Sequence, residues 1–146
     1  MLSLFFFELG FEESIAMTHT LFLFFNHDLT EHQKQDAIAS LGVKRIVELP
    51  PSLKALWRSI PPELEALSDY ISPFKKWLEA EACKGDYVLI QGDFGACYLM
   101  VRYCFEKGFV PVYSTTKREV IEKLLPDGSI ELHHVFRHRR FRRYGQ

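Results

Sequence analysis

Apolar residues occur along the chain in short runs that stop abruptly at polar residues or at prolines. Residues 21–25 and 87–90 are apolar throughout, residues 43–49 end at two prolines, and residues 109–113 form a fourth run. An apolar run without alternation is typical of a strand that is covered on both faces, as in a parallel sheet. The pattern therefore predicts four strands, of which the unbroken apolar run over residues 21–25 is covered on both faces.

The segments between these strands carry helix signals. Thr30 can cap a first helix, with Gln33 at the capping-box position, and Gly42 fits its C-terminal end. A longer helix is predicted to open at Pro61-Pro62 and to bend at Pro73. One predicted helix follows Thr30, and three more cover residues 53–57, 61–83 and 96–107.

The last part of the chain has a different pattern. A Pro126-Asp127-Gly128 turn separates residues 119–125 from residues 129–141, which predicts a hairpin. Because strands and helices alternate before it, we expect right-handed crossovers. The predicted fold is α/β: a Rossmann-like open, mainly parallel sheet with helices on both faces and a C-terminal β-hairpin.

The chain of 146 residues has the length of one domain. Residues 1–16 differ in character from the rest, because an apolar run too short to span a bilayer is followed by three glutamates. We expect them to form an N-terminal extension, which can be disordered, and residues 17–146 to form a single Rossmann-like domain. Met17 then stands directly before the first strand. With no signal peptide or membrane span evident, a cytoplasmic protein is expected.

Polar residues and glycines cluster where three predicted strands end. In open α/β sheets, ligands bind beyond the carboxyl ends of the strands, so these clusters are expected to converge on one site. They consist of Asn26, His27 and Asp28; Gln91, Gly92, Asp93, Phe94 and Gly95; and Thr115, Thr116, Lys117 and Arg118.

Each cluster has a functional and a structural interpretation. Residues 92–95 open a helix whose free N–H groups suit an anion, although Asp93 can simply be its N-cap. Residues 115–118 offer hydroxyls and cations for a phosphate, or form an ordinary surface turn. His27 can act as a general acid or base, or as a hydrogen-bonded structural residue.

The distribution of charge adds a second basic region. The net charge is −1, but five arginines and no acid lie after residue 136, so the rest of the chain has 13 basic residues against 19 acidic ones. Arg140 and Arg142 of this tail can attract a phosphate-bearing ligand, or merely help solubility. The three cysteines and the trio His133, His134 and His138 lack metal-ligand spacing, so we expect no metal and no cofactor.

From residue 21 to residue 144 the chain resembles a small Csx-type accessory protein family of type III CRISPR systems. The residues that carry the resemblance are Leu23-Phe24-Phe25-Asn26-His27 with Leu29-Thr30, Leu56-Trp57 with Ile60-Pro61-Pro62, residues 85–96 around Gln91-Gly92-Asp93-Phe94-Gly95, Pro111-Val112-Tyr113-Ser114-Thr115-Thr116-Lys117-Arg118, and Val135-Phe136-Arg137-His138 with Arg140-Phe141-Arg142.

The resemblance implies a dimeric domain, similar to CARF-like proteins, that binds a cyclic oligoadenylate second messenger, with cyclic tetra-adenylate as the first expectation. It implies a metal-independent ring nuclease that leaves 2′,3′-cyclic phosphate ends, with His27 as acid or base and Lys117 and Arg118 as charge stabilisers. The remaining predicted ligand contacts are Asn26, Gln91, Gly92, Asp93, Phe94, Gly95, Thr115, Thr116, Arg140 and Arg142. A membrane or DNA partner is not expected.

Two alternatives stay open at this point. One is a non-catalytic protein that sequesters or senses the same ring. The other is a structural partner of a ribonucleoprotein complex, in which the arginine tail contacts RNA phosphates.

Overall fold

The computed structural model describes residues 19–146, so the predicted extension over residues 1–16 lies outside the described part. The elements, in chain order, are β1 (His19–Phe24), α1 (Glu31–Asp36, continued by a π-helical turn over Ala37–Leu41), β2 (Val43–Glu48), α2 (Pro51–Arg58), α3 (Ser68–Glu81), β3 (Tyr87–Ile90), α4 (Phe94–Lys107), β4 (Val110–Leu124) and β5 (Ile130–Arg143).

The five strands form one sheet in the order β2-β1-β3-β4-β5. The first four are parallel to one another, and β5 pairs antiparallel with β4. The prediction of a mixed α/β fold with a mainly parallel sheet is therefore confirmed. No helix in the described residues is long and apolar enough to cross a membrane.

Alternate residues of the central strands point to opposite faces of the sheet and build two cores. Phe22 and Phe24 pack with residues of α2, α3 and α4, whereas Leu21 and Leu23 pack with Ala37 of α1. Both faces are thus covered by helices, which explains why β1 and β3 are apolar without alternation.

The third helix begins later than predicted. Pro61 and Pro62 do not open it; the Leu64 N–H bonds to the Pro61 carbonyl, and α3 begins at Ser68. Leu67, just before the helix, packs against the core. A turn that brings Leu67 inward therefore precedes the helix.

The fourth strand is much longer than predicted. It was expected to end at Tyr113, but β4 continues to Leu124 because β5 pairs with it antiparallel along its length, with one register shift between Thr115 and Thr116. β3 pairs with β4 only as far as Val112, so the remainder of β4 leaves the parallel sheet together with β5.

Candidate functional site

The neighbouring strands β1 and β3 connect to strands on opposite sides of the sheet. From β1 it passes through α1 to β2 on one side, and from β3 it passes through α4 to β4 on the other. Such a topological switch point opens a crevice at the carboxyl ends of the strands. Asn26 and His27 follow β1 here, and residues 91–95 follow β3.

One cavity lies in this crevice, and a second adjoins it on the side of α4 and β4. The smaller, of about 230 Å³, is lined by Phe25, Asn26, His27, Gln91 and Gly92. The larger, of about 550 Å³, is lined by Gln91, Gly92, Phe94, Cys97, Tyr98, Val101, Tyr113 and Tyr144. Because Gln91 and Gly92 line both, the structure brings together the clusters predicted after β1 and β3.

The larger cavity is walled by aromatic rings from three elements. Phe94 is 94% exposed at the start of α4, and Tyr98 lies one turn further along the helix. Tyr113 comes from β4 and packs against Tyr144, whose hydroxyl donates to the Ile90 carbonyl at 2.6 Å. The sequence analysis missed all three tyrosines, because only the fold brings them beside Phe94.

One potential nucleophile in the larger cavity is held in its neutral form. Burial, with the negative charge of Asp93, raises the pKa of the Cys97 thiol to about 11. The thiolate is the reactive form of cysteine, so Cys97 contributes shape rather than covalent chemistry at neutral pH.

Gly92 is required by a close approach to Trp57. Its φ is +155°, and a Cβ would stand 3.0 Å from the indole nitrogen Nε1 of Trp57. That indole N–H donates to the Gln91 carbonyl at 3.0 Å, which fixes the start of the loop. Trp57 therefore leaves little room for a side chain at position 92 and holds the Gln91 carbonyl in place.

Asp93 is the N-cap of α4, as the structural interpretation of the sequence predicted. Its carboxylate accepts a hydrogen bond from the Ala96 N–H at 3.0 Å. The N–H groups of Phe94 and Gly95 in this first turn have no carbonyl partner within the helix. These free N–H groups form the positive end of the α4 dipole, which lies next to both cavities.

The smaller cavity contains a buried acceptor. Among residues 19–146, no donor reaches the buried Oδ1 of Asn26. The backbone carbonyl of the same residue accepts from Arg58 Nη2 at 3.0 Å, so a guanidinium that sequence analysis missed lies beside the loop. Buried acceptors are nearly always paired, and a ligand donor would satisfy this one.

His27 lies at the mouth of the smaller cavity. Its ring is exposed and contacts Phe25 edge-on, with ring centroids 5.5 Å apart. Asp28, next in the chain, instead forms an ion pair with Lys54 at 3.0 Å, which lowers the pKa of Asp28.

The cluster of residues 115–118 is not at a strand end, because β4 continues through it. Thr115 bonds to both the N–H and the carbonyl of Arg140, and Arg118 donates to His134 Nδ1 at 3.2 Å. Thr116 and Lys117 pair with β5 and are exposed. None of these four residues lines either cavity. Of the three clusters predicted to meet, the structure brings together only those that follow β1 and β3.

The two tail arginines lie on the sheet edge. Arg142 donates to the hydroxyl of Tyr113, a residue of the aromatic cavity, at 3.1 Å, and its guanidinium lies 5.6 Å from the centre of that ring. Both tail arginines line a separate cavity of about 780 Å³, together with Arg139 and Arg143.

A buried hydrogen-bond chain ties α1 to this part of the sheet. His138 donates from Nε2 to Asp36 at 2.6 Å, and its Nδ1 lies 2.5 Å from the Ser114 hydroxyl. The Ser114 N–H donates to Gln91 Oε1 at 2.8 Å. The chain thereby fixes the Gln91 side chain, which lines both cavities.

Removing the carboxylate from this chain is expected to be costly. Asp36→Ala leaves the buried His138 donor unpaired, so we expect the free energy of unfolding at pH 7 to fall by about 1–3 kcal/mol. Exposed Asp69, at the start of α3, provides the matched control, Asp69→Ala. Urea unfolding followed by circular dichroism measures both.

The same substitution has a pH signature. Burial alone would raise the pKa of Asp36, but hydrogen bonds from Ser40 and His138 outweigh it and hold the pKa below its ordinary value of 3.8. The stabilisation is therefore present above that value and is lost as the pH falls through the lower folded pKa. Asp36→Ala should approach wild-type stability in acid; an equal deficit at every pH contradicts this assignment.

Comparison with known proteins places the chain in a family. Residues 19–142 match the Uncharacterized protein MJ1673 family. The chain is 45% identical over 124 residues to Uncharacterized protein MJ1673 of Methanocaldococcus jannaschii. The aligned residues cover 85% of this chain and 95% of that relative. No solved structure matches it. The chain therefore belongs to the MJ1673 family.

Proposed function

We propose that the protein binds a cyclic oligoadenylate at the switch point of a Rossmann-like sheet and cleaves it as a ring nuclease. The observation that supports this most is the pairing of an aromatic cavity with the positive N-terminus of α4 around shared residues Gln91 and Gly92. Adenine bases stack on aromatic rings, and phosphates accept from helix N-terminal N–H groups.

In the proposed complex, each part of the ligand has a counterpart in the two cavities. An adenine lies between Phe94 and Tyr98 or Tyr113, where aromatic side chains are exposed or line the cavity. The phosphate lies against the first turn of α4, and Arg142, which contacts Tyr113 of the same cavity, adds a positive charge on that side of the sheet. Asn26 lines the smaller cavity, where its side-chain amide contacts a ribose hydroxyl or the adenine.

The proposed reaction needs only groups of the ligand and one proton shuttle. The ribose 2′-oxygen attacks the adjacent phosphorus, the bond from phosphorus to the 5′-oxygen breaks, and a 2′,3′-cyclic phosphate forms. His27 takes the proton from the 2′-hydroxyl or donates one to the departing 5′-oxygen. The α4 N–H groups offset the charge that develops on the phosphate.

A non-catalytic binding protein is the second candidate. It is favoured by one observation: Lys117 and Arg118, the predicted charge stabilisers, line neither of the cavities that contain His27 and Gly92. A protein that holds the ring without cutting it needs the stacking and phosphate contacts alone.

A cleavage assay distinguishes the two candidates. Purified protein is incubated with cyclic tetra-adenylate or cyclic hexa-adenylate, with and without EDTA, and the products are separated by chromatography. The proposal predicts linear products with 2′,3′-cyclic phosphate ends and equal rates with EDTA. Tight binding of an intact ring supports the sequestering protein, and neither binding nor cleavage contradicts both.

A further inference from the structure

The cavity of about 780 Å³ lies between the C-terminal part of α1 and β5, the last strand of the sheet. Four arginines of β5 line it, and we call it the arginine cavity: Arg139, Arg140, Arg142 and Arg143. It shares no lining residue with the two cavities of the candidate site. Its volume is within the range of small-molecule sites, roughly 300–1,000 Å³.

An irregularity in β5 brings Arg139 to this cavity. Thr115 pairs with Arg140, whereas Thr116 pairs with His138. Arg139 therefore has no partner on β4 and is the extra residue of a β-bulge. Neighbouring residues of a regular strand point to opposite faces, but a bulge at a sheet edge can re-aim a side chain. Arg139 and Arg140 accordingly line the same cavity.

An aromatic ring holds Arg143 beside the cavity. Its guanidinium lies 5.9 Å from the centre of the ring of Tyr87, which also lines the cavity. Phe141 is two residues earlier on β5 and therefore on the same face, where it is buried in the core that contains Ala37 of α1. Arg143 thus lies on the α1 side of the sheet.

The positive charge of the cavity has no counter-ion within residues 19–146. The four arginines are exposed, and none of them forms an ion pair with a described carboxylate. Arg137, on the same strand, is instead paired with Glu119 at 2.7 Å.

Among the described lining residues, only Asp36 has a carboxylate side chain. Both of its oxygens already accept hydrogen bonds, Oδ1 from the Ser40 hydroxyl at 2.5 Å and Oδ2 from His138 Nε2 at 2.6 Å. Asp36 is therefore engaged by α1 and β5 themselves, and the guanidiniums keep their donors for another anion.

We propose that the arginine cavity binds a small anion that contains a chain of two or more linked phosphate groups. A guanidinium presents pairs of parallel N–H donors that match phosphate oxygens. From Arg139 to Arg143 the strand extends about 13 Å, so the row of charge suits several linked phosphates better than one. The inference is independent of the ring proposed above.

The boundaries of the cavity favour a small molecule over a nucleic-acid strand. Residues of α1 line it together with those of β5, which limits the size of a ligand held between the two elements. A nucleoside triphosphate and an inorganic polyphosphate share the required chemistry, and the test below distinguishes them.

Isothermal titration calorimetry of the full-length chain with inorganic tripolyphosphate tests the site. We expect the wild type to bind, and Arg139→Gln and Arg143→Gln each to weaken binding roughly 10-fold, the effect of losing one hydrogen bond between charged groups. Arg137→Gln removes the same charge from the same strand outside the cavity, so this control should bind like wild type. Circular dichroism checks the folding of each variant.

ATP, orthophosphate and a single-stranded oligoadenylate with a 5′-hydroxyl end are titrated in parallel. Tighter binding of ATP than of tripolyphosphate assigns the site to a nucleotide, and the reverse order assigns it to inorganic polyphosphate. Four results overturn the proposal: no binding of tripolyphosphate at millimolar concentration, cavity variants that bind like wild type, an equal loss in Arg137→Gln, or tighter binding of orthophosphate or the oligoadenylate than of both linked phosphates.

Discussion

His27→Ala is expected to slow single-turnover cleavage of cyclic tetra-adenylate by roughly 10²–10⁴-fold, the usual contribution of a general acid or base. Binding of the ring should be nearly unchanged, because His27 lies at the mouth of the smaller cavity, whereas the stacking rings line the larger one. Rapid-quench single-turnover kinetics measures the rate, and isothermal titration calorimetry measures the Kd.

The control for this substitution is another exposed histidine. His133 lies on β5, ion-paired with Glu131, and lines neither cavity, so His133→Ala should cleave at the wild-type rate. If His27→Ala also cleaves at that rate, the acid–base assignment is wrong, and alignment of the ring by the loops is left as the source of catalysis.

Phe94→Ala is expected to weaken ring binding by about 5- to 150-fold, which corresponds to the 1–3 kcal/mol that stacking of a base on an aromatic ring contributes. The side chain is almost fully exposed at the first position of α4, so its removal leaves no cavity in the core. The thermal unfolding midpoint should therefore change little while the Kd rises.

Phe105 provides the matched comparison, because it is an exposed phenylalanine on the same helix that lines neither cavity of the site. Phe105→Ala should bind the ring like wild type. Equal effects of the two substitutions indicate a general change in α4 rather than a lost stacking contact and contradict the proposed site.

The sequence predicted the strand-end loops because their signal is local. Apolar runs that end in Asn26-His27 and in Gln91-Gly92 locate two adjacent strand ends, and the sheet order brings them together. The capping of α1 by Thr30 with Gln33, and of α4 by Asp93, was likewise predictable from a few neighbouring residues.

Long-range partners account for what sequence reasoning missed. Residues 114–118 are polar and resemble a loop, and only pairing with β5, 18 to 27 residues later in the chain, keeps them in a strand. Asp36 and His138 are 102 residues apart, and neither position signals the other. Tyr98, Tyr113 and Tyr144 come from different elements, so no local motif marks their shared cavity.

The central claim is that the crevice between the β1 and β3 loops binds an adenylate ring, and amide chemical-shift mapping tests it most directly. Cyclic tetra-adenylate is titrated into ¹⁵N-labelled wild-type protein and the shifts are followed by NMR. The account predicts the largest changes at the backbone N–H groups of Gly92, Phe94 and Gly95 and at the Asn26 side-chain amide. Changes confined to Arg139, Arg140 and Arg143, or no changes at saturating ligand, would contradict it.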